Sequence, residues 1–164
     1  MFAPGLPIQC LKLAEWRERF LAALLDAVIV GIPLFLLLSA TALTTATRSR
    51  TGEHLVHVPI GPFVITYVLG LLLVLVYFGL LDGCGSGQTV GKRVMRIATC
   101  DSRNGGLIGF KRAYFRAFVC LLLWNIYVIP GIVDALWPLR SKHRQALHDF
   151  AASSVVIKLG GEGR

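Results

Sequence analysis

The chain has 164 residues, 55% of them hydrophobic against 16% charged, and a formal net charge of +8 at neutral pH. That length gives one domain, and that composition excludes an ordinary soluble core in favour of a membrane-embedded protein. In so apolar a chain the surplus of Lys and Arg sets topology and meets anionic headgroups, so membrane lipids are the expected partners and nucleic acid is not.

Residues 1–15 precede the first apolar run, which extends from Phe20 to about Ala42 with Asp26 as its one internal charge. The run is long enough to cross a hydrocarbon layer of about 30 Å at about 1.5 Å per residue. A carboxylate in a membrane helix costs about 2.5 to 3.5 kcal/mol at the centre and less toward the ends, so Asp26 needs compensation and is a candidate for function. Arg19, at the start of the run, lies on the same helix face but about 10.5 Å away along the axis, too far to pair directly. The cations expected to face Asp26 are Arg116, Lys111 and Arg112. Pro33 frees the carbonyl of Ile29 and can kink the helix beyond Asp26. Ala40-Thr41-Ala42 also resembles a signal-peptide cleavage site, an alternative that the length of the run and the charge within it disfavour.

Pro62 to Leu81 is a second apolar run without a charge. The loop between the runs carries Arg48, Arg50 and an HxxH of His54 and His57, which has no third ligand and so suggests no metal site. After the second run comes GCGSGQTVGKRV. It fails the P-loop pattern at Ser86 and Arg93 and the dinucleotide pattern at Gln88 and Val90. A tight glycine turn with Lys92 and Arg93 at headgroup level fits it better. The segments Val94 to Cys100 and Ser154 to Leu159 are strand-like, and they can pair only if both lie on one face of the membrane.

The third apolar stretch, Ala113 to Leu139, contains Arg116, Asp134 and a Pro130-Gly131 break, and reads either as one kinked span or as a re-entrant hairpin. In the hairpin, Ala117 to Ile129 descends, the chain turns at Pro130-Gly131, and Ile132 to Leu139 returns. Fourteen Lys and Arg then share one face against two on the other, which satisfies the positive-inside rule and puts the N-terminus in the cytoplasm. A re-entrant turn must be buried in protein. Trp16, Tyr114 and Trp137 fall near the ends of apolar stretches, where aromatic rings anchor at the interface. Cys10, Cys84, Cys100 and Cys120 lack metal-ligand or disulfide spacing, no nucleophile and base pair appears, and neither an enzyme nor a cofactor is indicated.

Three segments carry a resemblance: WRERFLAALLD, GQTVGKRVMRIATCDSRNGG and QALHDFAASSVVI. In that order and spacing they resemble the RDD family of bacterial membrane proteins over roughly Trp16 to Ile157. The resemblance implies that Arg19 is the family's arginine and that Asp26 and Asp149 are its two aspartates. The loop motif then comprises Gly87, Gln88, Thr89, Gly91, Lys92 and Arg93, with His148 beside Asp149. Val90 stands where the family often has Pro, and Phe150 and Ser153 depart from its usual His-Asp-Arg-Leu-Ala-Gly ending. A transport role, including cation/proton exchange, has been proposed for such proteins.

The resulting expectation is an all-α membrane protein of the inner (cytoplasmic) membrane. It has two transmembrane helices, a third broken or re-entrant apolar helical segment within a domain spanning 16–157, a small cytoplasmic two-strand element and a tail at 158–164. Arg19, Asp26, Arg116 and Asp149 are expected to form a polar network. Two spans enclose no lumen, so a transport role would need a homo-oligomer or a partner membrane subunit; the alternative is a non-catalytic scaffold with a basic face for lipid or partner.

Overall fold

The computed structural model describes residues 12–49, 60–126 and 128–159. The HxxH of the first loop lies outside them, as does Cys10. The chain is mostly helical, with α1 (Trp16–Ser49), α2 (Ile60–Gly83), α3 (Val90–Val94), β1 (Ile97–Asp101), α4 (Gly109–Ile126), α5 (Val128–Leu136), a 3-10 turn at Trp137–Leu139, α6 (Leu147–Ala151) and β2 (Ser154–Lys158).

Helices α1 and α2 are long and apolar enough to cross a membrane. Phe35, Leu36, Val64, Leu69 and Leu73 on them are more than half exposed, an apolar surface far larger than a water-soluble monomer tolerates. Pro33 is accommodated within the continuous α1. Where α2 approaches α4 the contact is made by a small residue: a Cβ on Gly79 would lie 2.5 Å from the Tyr114 ring. Tyr114 is therefore packed between helices as well as lying near an apolar boundary.

The strands expected from sequence pair antiparallel, Ile97 opposite Lys158 through Asp101 opposite Ser154. The first begins three residues later than the pattern suggests. Val94 ends α3, capped at its start by Thr89, and Arg96 takes a left-handed φ of 53° to turn into β1. Leu13 bridges to Ile157 on the free edge of β2, and Ala14 donates to the Val156 carbonyl at 2.9 Å. One face of this small sheet buries Ile97 and Val156 with Ala14 and Ala22. The other buries Ala98, Cys100, Val155 and Ile157. The start of α1 is thereby tied to both strands.

Because β1 precedes the third apolar stretch and β2 follows it, their pairing brings that stretch back to the end it left. Helices α4 and α5 do fold back on one another. A Cβ on Gly131 would stand 2.5 Å from the ring of Trp124, although seven residues along one helix would separate them by about 10.5 Å. Helix α4 ends at Ile126 and α5 begins at Val128, so Pro130-Gly131 lies inside α5 and is not the break between them. Pro130 sits in the first turn of α5, where its missing N–H has no helical partner to lose, and Gly131 is the gap that admits Trp124. The Trp16 indole then donates to the Ala135 carbonyl at 2.9 Å, fastening the returning helix to the start of α1.

Candidate functional site

All five aspartates of the chain, Asp26, Asp82, Asp101, Asp134 and Asp149, are buried. A buried carboxylate is tolerated only when charges or hydrogen bonds replace its water, and each of these is provided for differently.

Among the described residues, no cation meets Asp26, from α1. Its carboxylate accepts the Tyr77 hydroxyl at 2.8 Å, the Thr89 hydroxyl at 2.5 Å and the Gly91 backbone N–H at 2.8 Å. The loop motif supplies two of the three donors. Thr89 also caps α3 by accepting the Lys92 N–H, and the Tyr77 hydroxyl accepts the Val90 N–H at 3.3 Å. Gly91 must be glycine, since a Cβ there would lie 2.1 Å from the Ala22 carbonyl oxygen. The expectation that Arg116, Lys111 or Arg112 would face Asp26 is thus replaced: a short helix docks its first turn on the carboxylate, and hydroxyl and amide donors do the work of a cation.

Lys92 is also not at a headgroup position. It is buried, and its ammonium reaches the two oxygens of Asp82 at 2.5 and 2.7 Å and the Thr99 hydroxyl at 2.9 Å. Burial pushes this lysine down from its ordinary pKa, and the charge of Asp82 only partly restores it. Arg93, by contrast, is exposed. Gln88 donates to the Ile97 carbonyl at 2.8 Å, and Gly87, at a left-handed φ of 60°, allows the loop to lie against Thr99. The motif therefore reads as a loop that seats α3, β1 and Lys92 in one movement.

Arg116, buried on α4, joins everything else. Its guanidinium pairs with Asp82, donates to Asp149 at 2.7 Å and reaches His148 Nε2 at 3.1 Å. Arginine has no acceptor, so Nε2 accepts and the ring proton is assigned to Nδ1. That Nδ1 faces Asp134 at 2.6 Å, and the His148 backbone N–H donates to the same carboxylate at 3.1 Å. Arg19 completes the set by donating to Asp149 at 2.8 Å and to the Val156 carbonyl at 3.3 Å. Burial alone would raise the Asp149 carboxyl, but Arg116, His148 and Arg19 outweigh it and hold it far below the ordinary carboxylate range.

Arg19, Arg116 and Asp149 are thus brought together, and Asp26 stands apart from them. Sequence reading gave no site role to Asp82, Asp134, Tyr77 or Thr99, although it noted Asp134 within the third apolar stretch. Asp82 and Tyr77 lie near the end of an apolar run, and the position of Asp82 one turn from the glycine turn was the available signal. Asp101 belongs to a separate pairing: Arg112 binds it and also donates to the Ala152 and Ser153 carbonyls, closing the turn before β2.

The family profile described as RDD family matches residues 13–153. The chain belongs to the RDD family. A relative, the uncharacterized protein YxaI of Bacillus subtilis (strain 168), is 25% identical over 153 residues, covering 89% of this chain and 97% of its own. No solved structure matches. Two departures from the family pattern now have a physical reading. Val90 occupies the first helical position of α3, where Pro is favoured, and Ser153 adopts a left-handed φ of 47° where glycine is usual.

Proposed function

We propose that this RDD protein is a non-catalytic integral membrane scaffold whose basic cytoplasmic face engages anionic lipid. Helices α1 and α2 span the bilayer, and α4 with α5 forms a re-entrant hairpin. The N-terminus and the C-terminus then lie in the cytoplasm of the inner membrane. The observation that carries this reading is the separation of charge by sign. The five aspartates are buried, whereas Lys12, Arg17, Arg93, Arg96, Arg103, Lys111, Arg140, Lys142 and Arg144 are exposed. The buried carboxylates neutralise Arg19, Lys92 and Arg116 and leave an exposed surface on which the exposed cations far outnumber the exposed Glu15, and an anionic leaflet attracts such a surface by about 1 kcal/mol per cation near it.

Reconstitution into nanodiscs tests this. Thermal stability should rise when phosphatidylglycerol replaces phosphatidylcholine, fall back with added salt, and lose its lipid dependence when Arg93, Arg96 and Lys111 are changed together to Gln. Equal stability in the two lipids would count against the proposal.

Cation/proton exchange is the second reading, supported by a titratable ring, His148, lodged between Asp134 and Arg116, and by the intramembrane Asp26. It requires a homo-oligomer or a partner subunit to complete a path. Proteoliposomes should then show cation-driven proton flux that Asp26→Asn abolishes; a folded preparation without flux excludes it.

A further inference from the structure

The ionic network accounts for three carboxylates and three permanent cations, apart from Asp26 with its own donors. Within it the charges are not evenly shared. Asp82 is paired with Lys92 and Arg116, and Asp149 with Arg19 and Arg116. Among the described residues, Asp134, 1% exposed, is met only by the His148 ring and backbone N–H. Next to it is a thiol. One ligand atom each from Cys120, Asp134 and His148 lie within 4.8 Å of one another.

We propose that Cys120, Asp134 and His148 form a binding site for a borderline divalent transition metal of the zinc class. The donor set is one sulfur, one oxygen and one nitrogen, the mixture that such an ion takes and that calcium or magnesium does not. Zinc holds these atoms at about 2.0 to 2.3 Å, which places them about 3.3 to 3.8 Å apart in a tetrahedron. The His148 to Asp134 hydrogen bond, now 2.6 Å, opens slightly to that spacing, and the more distant thiol closes by a side-chain rotation.

Charge balances as well. The metal displaces the proton of the Cys120 thiol and binds as a dication between a thiolate and the Asp134 carboxylate, giving a neutral centre where a buried carboxylate otherwise lacks a permanent counter-ion. If the ring binds through Nδ1, its Nε2 carries the proton and faces Asp149 Oδ1, 3.5 Å away, which is the carboxylate–histidine–metal arrangement that orients a ligand ring. Arg116 gives up its contact with that nitrogen and retains Asp82 and Asp149. Three protein ligands leave a fourth position for water or another donor. The three residues come from α4, α5 and α6, so an ion there staples the re-entrant hairpin to the segment that leads into β2.

Cobalt(II) titration of the intact protein in detergent, followed by displacement with zinc, tests the site. The wild type should develop a thiolate-to-cobalt charge-transfer band saturating at one equivalent and lost on addition of zinc. Cys120→Ser should abolish the band with an unchanged far-UV spectrum, and Asp134→Asn should weaken binding by about tenfold or more, as loss of even an outer partner does. A wild type with no thiolate band, or a Cys120→Ser protein that keeps it, overturns the proposal. Because Cys120 makes no ion pair in the network, its replacement separates loss of the metal from loss of the fold.

Discussion

Gly91 donates its backbone N–H to the Asp26 carboxylate across 2.8 Å, joining positions 65 apart in sequence, at a point where a Cβ would meet the Ala22 carbonyl oxygen at 2.1 Å. The costly charge of the first helix and the glycine of the loop motif are therefore two halves of one contact. Gly91→Ala must push α3 off α1, and overpacking of this kind costs about 1 to 3 kcal/mol. Asp26→Asn turns one accepting oxygen into a donor facing donors, and should cost about 1 to 3 kcal/mol through the groups left unsatisfied. Thermal unfolding in detergent reads both. The double variant should lose less than the sum, because either change already undoes the same contact.

Arg116 should be the most sensitive cation. Arg116→Met removes the shared partner of Asp82 and Asp149 and leaves carboxylates buried without it, a loss of about 3 to 5 kcal/mol. Arg116→Lys keeps the charge but not the planar fork that serves Asp82, Asp149 and His148 together, so it should fall between wild type and Met. Urea or thermal unfolding of the three proteins ranks them; an Arg116→Lys protein as stable as wild type would reduce the role of Arg116 to a point charge.

Asp149 gives the network a pH dependence of defined sign. Its folded pKa lies below the ordinary value of 3.8, so its contribution is present above the unfolded pKa and is lost as pH falls through it toward the folded one. Stability should accordingly hold from about pH 7 to about pH 5 and then decline on further acidification. Asp149→Asn should be less stable at neutral pH and show a shallower decline, a comparison readable by unfolding at stepped pH.

The two long apolar helices and the strand pair were legible because hydropathy and strand pairing each constrain them separately. The place of the break in the third apolar stretch was not. Pro130-Gly131 looks like a break, yet proline is equally at home in a first helical turn, and only the proximity of Trp124 to Gly131 shows which role it has. Lys92 was misjudged for a similar reason. A basic residue after a span is ordinarily at the headgroups, and nothing local reveals that Asp82, ten residues earlier, waits in the interior. The partners of Asp26 were out of reach for a different cause: its donors are hydroxyls and an amide, which leave no charge pattern in a sequence.

Ser153 offers a test in the opposite direction, toward greater stability. It closes the turn between α6 and β2 at a left-handed φ of 47°, with its N–H on the Phe150 carbonyl and its own carbonyl accepting from Ser102 at 3.0 Å. The backbone of that turn is fixed by hydrogen bonds that do not involve the serine side chain, so removing the Cβ relieves strain without breaking them. A non-glycine residue in this region costs about 1 to 2 kcal/mol, and glycine returns part of that gain through its greater freedom in the unfolded chain. Ser153→Gly should therefore raise stability by about 0.5 to 1 kcal/mol, visible as a higher midpoint of thermal unfolding. Ser153→Val, β-branched in the same conformation, should lower it, and a pair of variants that fail to move in opposite directions would show that the turn relaxes to another conformation instead of holding its left-handed φ.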